Sequence, residues 1–360
     1  MKICYLADGE SIHTKRWLEY FIKVGHEVHL ISFNNPSING IKFHKITTHF
    51  PNLKFRYLFI LNQVKKMIRK INPDVLHSHY VLTNGFLGAY SGFHPFVVSV
   101  WGSDVLVSTN SRIYRWMVKF ALKRTDLVTC DAEHIKEPLM KLGASPKKII
   151  LIYYGTDIKK FNPKQRSKEL RERLRIFDSP MIISLRNLEL IYDIKSLIAS
   201  IPLVLKKIPE TKFVIVGNGS QEAGLKRLAK SLGISNSIRF VGMIPNDEVP
   251  IYLASADVYV STSLSDAGLA SSTAEAMACE LPVIITDFGD NRKWVEDGIN
   301  GFLIPTKDPE SLAKNIIYLL ENKDIRIKFG KINRKIVKER LDYYKEMERM
   351  ERFYKNLVKG

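Results

Sequence analysis

Ala256-Asp-Val-Tyr-Val-Ser-Thr-Ser-Leu-Ser-Asp-Ala-Gly-Leu-Ala-Ser-Ser-Thr-Ala-Glu-Ala-Met277 contains a strand, a loop and a helix in that order. Val258–Ser261 is a short apolar run of the kind that forms a strand buried on both faces. Ser263 onward is small and polar, and Ser271–Ala278 reads as a helix. A strand that passes through such a loop into a helix leaves backbone N–H groups to meet phosphate oxygens, and the helix dipole adds positive potential there. The backbone from Gly268 through Leu269, Ala270, Ser271 and Ser272 to Thr273 is therefore a candidate anion cradle. Glu275 falls about one turn into the helix. There it either accepts hydrogen bonds from ribose hydroxyls or is a first-turn Glu favoured by the dipole; both roles are open on these residues alone.

The same alternation extends in both directions. Met181–Leu185, Lys212–Val216, Ile238–Phe240, Val283–Thr286 and Gly301–Ile304 read as further strands of one series, with helices such as Lys195–Lys207, Gln221–Leu232 and Pro309–Asn322 between them. Upstream, Lys2–Ala7, Glu27–Phe33, Val75–Ser78, Phe96–Val100, Leu127–Asp131 and Ile149–Ile152 form a second series. Strands alternating with amphipathic helices predict parallel sheets covered by helices. The fold class is α/β: two Rossmann-like, doubly wound domains facing across a cleft, with ligands beyond the carboxyl ends of the strands. The polar stretch Asn162–Arg175 separates them, placing the domains at 1–162 and 163–325. Residues 326–360 form a charged helical segment, either solvated or packed back on the first domain.

With 45% hydrophobic and 26% charged residues the chain is globular rather than disordered. No apolar run is long enough for a membrane span. Met1–Ala7 is too short for a signal peptide, so a cytoplasmic protein is expected. Cys4, Cys130 and Cys279 are widely spaced and odd in number, which suggests buried thiols rather than a disulfide frame or a zinc site. The net charge of +18 is uneven: residues 1–150 hold 21 basic and 10 acidic residues, and residues 323–360 hold 13 and 6. A basic surface attracts phosphates. No nucleic-acid-binding motif accompanies it, so an anionic membrane surface on the inner face of the cell membrane ranks above nucleic acid. Leu58–Ile71 and Arg112–Arg124 are the basic amphipathic helices suited to that surface.

Val214-Ile-Val-Gly-Asn-Gly219, Val241-Gly242, Ala256-Asp-Val258, Glu275-Ala-Met-Ala278, Leu281-Pro-Val283, Asp297-Gly-Ile-Asn-Gly-Phe302, Asp308-Pro309 and Leu312-Ala313 form an ordered set. Gly25-His-Glu-Val28, Asp74-Val-Leu-His77 and Gly155-Thr-Asp157 with Phe161 continue it upstream. Together they resemble the retaining GT-B glycosyltransferases of the large family that includes sucrose synthases and mannosyltransferases (family 4, group 1). The resemblance covers nearly the whole chain. It implies an acceptor-binding first domain, a nucleotide-sugar-binding second domain, and a hexosyltransferase active in glycan, glycolipid or surface-polysaccharide synthesis. It implies a nucleotide-diphosphate sugar as co-substrate, a glycan or lipid-linked acceptor, no cofactor and no catalytic metal. Glu275 matches the second Glu of the family's paired-Glu motif, and Arg186 matches the family Arg on the donor pyrophosphate. Gly217 falls in the matching glycine turn, and Met243 and Ile244 match the turn along the nucleotide base. Three departures stand out. The motif's first Glu falls on Ala267, with Asp266 beside it as a stand-in; the Lys expected after Arg186 is missing from Leu188-Glu-Leu-Ile-Tyr-Asp-Ile194; and Trp101-Gly102 stands where many members have His-Gly.

In the first domain, the loop Asp8-Gly-Glu-Ser-Ile-His13 offers Gly9 as a close approach to donor phosphate or acceptor. His13, His77 and His79 are candidate acceptor contacts. Asp104 is a further acceptor contact and, with Arg186 and His79, a candidate catalytic residue; capping of the next helix is its alternative. A catalytically impaired sugar-nucleotide-binding or scaffold protein of the same fold is the competing function, supported by the missing Lys and Glu.

Overall fold

The computed structural model describes residues 1–47, 53–106, 111–266 and 268–359. Two compact units form, Met1–Tyr154 with Lys345–Gly360, and Gly155–Tyr344.

The first unit contains β1 (Lys2–Leu6), β2 (Glu27–Ser32), β3 (Lys42–Lys45), β4 (Val75–His79), β5 (Phe96–Val100), β6 (Leu127–Cys130) and β7 (Ile149–Leu151). Their order in the sheet is β3-β2-β1-β4-β5-β6-β7, and the pairings are parallel, with Ile3 opposite both Val28 and Val75. Ile3 to Leu6 and Phe96 to Val98 are wholly buried, as strands covered by helices on both faces must be. The strand Lys42–Lys45 is additional to those expected. It lies at the sheet edge, is only half-buried, and has no apolar run to announce it. From Lys345 on, the helix Tyr343–Lys359 belongs to this unit. It buries Met347, Met350 and Tyr354. Its Glu346 accepts the Tyr153 N–H at 2.9 Å, and its Glu351 meets His26 Nε2 at 3.0 Å.

The second unit contains β8 (Met181–Leu185), β9 (Lys212–Val216), β10 (Ile238–Gly242), β11 (Val258–Ser261), β12 (Val283–Thr286) and β13 (Gly301–Ile304), ordered β10-β9-β8-β11-β12-β13 and again parallel. The polar stretch Asn162–Arg175, expected as a separator, is structured. Ser167 caps the helix Lys168–Arg173 by accepting the Leu170 N–H. Arg171 is buried and donates to the carbonyls of Phe177, Ser179 and Ser255 at 2.5–2.7 Å. All three cysteines are free and buried.

Each unit's first strand lies inside its sheet, with the chain proceeding outward on one side and then on the other. The reversal leaves a crevice beyond the carboxyl ends of the two strands that flank it. In the first unit these are β1 and β4; in the second, β8 and β11.

Two helical glycines separate packing from propensity. A Cβ on Gly330, in the helix Lys323–Arg340, would overlap the Glu280 carbonyl oxygen, whereas one on Gly224, in the helix Glu222–Ser231, would find only the end of Arg227 at 3.9 Å. Gly330→Ala should therefore destabilise by about 1–3 kcal/mol through overpacking. Gly224→Ala should stabilise by up to about 1 kcal/mol through helix propensity. Urea unfolding of the two variants beside the unmodified protein checks both signs.

Candidate active site

In the second unit the crevice begins with Arg186, the residue after β8, whose N–H donates to Val216 O at 3.1 Å. Its side chain is nearly buried. Nη2 donates to Asp266 Oδ1 at 2.5 Å, and the guanidinium lies 4.3 Å from the centre of the Tyr192 ring. Burial opposes the charge on Arg186, and Asp266 more than restores it, so its pKa lies above the ordinary value. For Asp266 burial also comes first: it lifts the carboxyl above its usual range against the pull of Arg186 and the Ser263 hydroxyl. The contrast with Arg171 is informative. Arg171 has committed its donors to three carbonyls, while Asp266 is the single acceptor of the Arg186 side chain among the described residues. A guanidinium presents five N–H groups in a planar fork suited to carboxylate and phosphate alike.

The loops beyond β8, β9 and β11 hold this arginine. Gly217 (φ +127°) donates to Gly242 O at 2.9 Å, and a Cβ on it would strike the Arg186 carbonyl. Its conformation serves contact between protein backbones. Leu188 N–H donates to Asn218 O at 2.8 Å. Thr262 Oγ1 donates to the carbonyls of Tyr192 and Asp193 at 3.0 and 2.9 Å, and Leu264 N–H donates to Ile191 O at 2.8 Å. Four residues after Asp266 comes Ala270, which precedes the helix Ser271–Ala278 and supplies no side-chain cap. Ser272 and Thr273 turn inward to the Tyr259 hydroxyl of β11, at 2.8 and 3.5 Å, leaving the main chain of the turn rather than these side chains to meet an anion. Gly268, Leu269, Ala270, Ser271 and Glu275 are half-buried. Met243 and Ile244 follow the end of β10; Met243 is exposed. Ala267 lies outside the described residues.

The first unit's crevice gathers His13, Trp17, His79, Trp101 and Tyr154. The His13 ring is 4.4 Å from Tyr154 and 5.6 Å from Trp101, and the His79 ring is 5.2 Å from Trp17 and 5.3 Å from Trp101. Among the described residues three buried nitrogens here have no partner: His13 Nδ1, Trp17 Nε1 and His79 Nε2. Burial, aided by Arg16, brings His13 down to about 4; burial, aided by His13, brings His79 down to about 3. Both rings are neutral at ordinary pH.

Three expectations are corrected. His77 makes no acceptor contact: it is wholly buried, with Nδ1 on the Tyr354 hydroxyl and Nε2 2.8 Å from Ser99 Oγ. Asp104 is buried and accepts the N–H groups of Val81 and Trp101 at 2.8 and 3.1 Å, so it pins a turn rather than facing a substrate. Burial still lifts it to about 6 against those bonds. Gly9 donates to Ser32 Oγ at 3.0 Å, and a Cβ there would meet Asn34 O at 2.5 Å, so the close approach at Gly9 is to its own unit. Tyr192, Tyr259 and Trp17 join the two crevices without any signal in the sequence, because their roles depend on partners distant in the chain.

Comparison with known proteins agrees with this arrangement. Residues 166–336 match the model for glycosyl transferases group 1, and residues 2–132 match the glycosyl transferase 4-like model. The N-acetyl-alpha-D-glucosaminyl L-malate synthase of Bacillus anthracis is 24% identical, over 93% of this chain and 90% of that protein. The UDP-Gal:alpha-D-GlcNAc-diphosphoundecaprenol alpha-1,3-galactosyltransferase of Escherichia coli is 25% identical, over 81% of this chain and 78% of that protein. The crystal structure of Anabaena HepE in complex with UDP and glucose shares the fold, with a TM-score of 0.85 and 17% identity over 99% of this chain and 100% of that chain. A parallel sheet in each unit, a buried arginine and an uncapped helix beyond the strands of the second, and two family models that together span most of the sequence lead to one conclusion: the chain belongs to the glycosyl transferases group 1 and is a glycosyltransferase of the GT-B fold.

Proposed function

We propose that the protein transfers a hexose from a nucleoside-diphosphate donor to an acceptor hydroxyl, with retention at the anomeric carbon and without a catalytic metal. The observation that carries this is the buried Arg186, with a single protein acceptor, beside the uncapped helix Ser271–Ala278. The bond from the anomeric carbon to the donor phosphate breaks, and the negative charge gathers on the departing diphosphate. Arg186 and the amides from Gly268 to Thr273 stabilise that charge, and preorganised stabilisation of this kind supplies most of the rate enhancement in many enzymes. Glu275 accepts the ribose hydroxyls.

The acceptor oxygen forms its bond on the face that the phosphate leaves, and its proton passes to a departing phosphate oxygen. Two observations support this route. His79 and His13, at about 3 and 4, are weak bases, and efficient proton transfer calls for a pKa near the working pH. Asp104 is committed to backbone N–H groups. His13, half-buried against Tyr154 and Trp101, orients an acceptor hydroxyl, and the buried His79 packs against Trp101. UDP-sugars are the first donors to test, because the Escherichia coli relative is named for UDP-Gal and the HepE crystal holds UDP.

We further propose a lipid-linked acceptor and contact with an anionic membrane. No helix of the described residues is long and apolar enough to cross a membrane. The helix Arg112–Arg124 has five basic and no acidic residues, and it exposes Ile113, Tyr114 and Trp116 by 69%, 48% and 58%. Aromatic and basic groups together suit the headgroup region.

Arg186→Ala should weaken binding of the donor nucleoside diphosphate about tenfold or more, through loss of a charge-assisted contact of about 1.5–3 kcal/mol. Calorimetric titration checks this, and an unchanged dissociation constant removes Arg186 from the site. EDTA should leave sugar transfer intact; loss of transfer that Mg²⁺ restores overturns the metal-free route. Vesicles of phosphatidylglycerol should sediment the protein at low salt while phosphatidylcholine vesicles do not, and Ile113→Ala with Trp116→Ala should reduce that binding about tenfold. Equal binding to both vesicle types would end the membrane assignment.

A further inference from the structure

We propose that Asp266 is a resident counter-ion of Arg186 whose place the donor's diphosphate takes. This rests on the assignment of Arg186 to the diphosphate. Burying a charge is costly. An unpaired guanidinium at this depth would be strongly unfavourable, and buried charges are accordingly paired. The pairing here is a single contact, from Nη2 to Oδ1, between side chains with 9% and 14% exposure. Arg171, by contrast, is fixed in a cage of carbonyls with Asp257 at 3.5 Å and has nothing to exchange.

The groups facing Asp266 are few. Arg186 approaches it from the end of β8, with the Tyr192 ring against that guanidinium, and Ser263 on its own loop supplies a hydroxyl. Tyr259 of β11 is near enough to feel both charges, and burial holds it above its ordinary pKa. Arg186 is the only cation in this set. The diphosphate of a nucleotide sugar has two negative charges, so a carboxylate kept beside it would face repulsion in a poorly screened setting. Burial already drives Asp266 toward its neutral form, and only Arg186 and Ser263 hold it back. When the diphosphate claims the guanidinium, Asp266 takes up one proton from solvent. Among the described residues, the last backbone bond from its loop to the neighbouring one is at Leu264, so the side chain can turn away without breaking that bond.

Binding is then linked to pH with a definite sign. The ligand raises the Asp266 pKa, so the bound state holds more protons and affinity rises as pH falls from the bound-state pKa of Asp266 toward its lower free-state pKa, and levels off below that. Asp266→Asn removes the competing charge and keeps the shape. It should tighten binding of a nucleotide sugar roughly three- to tenfold near neutral pH, the scale of one partly screened charge repulsion, and flatten the pH dependence. Asp266→Glu keeps the charge and should not tighten binding.

The probes are UDP-, GDP- and ADP-sugars, whose diester phosphates have no ionisation near neutrality, and the tightest binder is carried forward. Calorimetry of the unmodified protein in buffers of different ionisation enthalpy should show net proton uptake, and the same titration of Asp266→Asn should show none. This readout does not depend on the affinity of any variant. Weaker binding by Asp266→Asn, or equal proton uptake with and without the carboxylate, would overturn the proposal and leave Asp266 as a positioner of Arg186. If Arg186→Ala binds as tightly as the unmodified protein, or no nucleotide sugar binds at all, the underlying donor assignment fails instead.

Discussion

A parallel sheet whose first strand lies in its interior must send its chain outward twice, and at the reversal two neighbouring loops diverge. In both units this single topological constraint decides where polar chemistry collects. In the second unit the loops leaving β8 and β11 diverge around Arg186, and Thr262 and Leu264 then tie them together. In the first unit His13, Trp17 and His79 gather at the ends of β1 and β4, where His13 Nδ1, Trp17 Nε1 and His79 Nε2 find no protein partner among the described residues. Beside these same crevices, ordinary packing closes part of the strand ends: Gly9 presses on Asn34, and Gly217 presses on Arg186. Both glycines have the look of ligand loops in sequence, yet the backbone they admit is the protein's own.

Electrostatics separates the two crevices. The one in the second unit is built around a charge and its counter-charge, so it suits an anion. The one in the first unit is built from neutral rings and indole, with its histidines held deprotonated by burial. It suits hydroxyl-bearing groups, to which a neutral imidazole can both donate and accept. The proposed transfer calls for both chemistries, one for a diphosphate and one for an acceptor hydroxyl.

How far the sequence showed this depends on how local each signal was. Strands buried on both faces, such as Ile3 to Leu6 and Val258–Ser261, are apolar runs legible without any partner. β3 is a strand because β2 offers it backbone pairing, with Lys42 meeting Glu27 at 2.7 Å and His44 meeting His29 at 2.9 Å, and nothing within Lys42–Lys45 requires it. Arg186 was singled out through the family resemblance, not through any local pattern of its own. Its pairing with Asp266, 80 residues on, was not legible. His77 and His79 are two apart on one strand and lie on the same side of the sheet. Tyr354, 277 residues beyond His77, and Ser99 occupy both nitrogens of the His77 ring, whereas His79 meets only Thr14 through Nδ1. Asp104 offered equal grounds for substrate binding and for capping the next helix, and the fold uses it for neither: it holds the N–H groups of Val81 and Trp101.

The depth that silences the histidines as bases also constrains the reaction. A base with a pKa of about 3 or 4 holds a proton too weakly to draw one from an alcohol at neutral pH, whatever its placement. Raising either pKa would require solvent or a carboxylate beside it, and Asp104, the carboxylate assigned to this crevice, is held by Val81 and Trp101. The group left with growing basicity during the proposed reaction is the departing phosphate, which becomes a stronger base as its bond to the sugar lengthens. Arg186 must then stabilise that oxygen enough to let it leave and not so much that it ceases to accept the proton. The absence of a lysine from Leu188-Glu-Leu-Ile-Tyr-Asp-Ile194, where Tyr192 covers the guanidinium instead, is consistent with a site in which one positive charge serves for both.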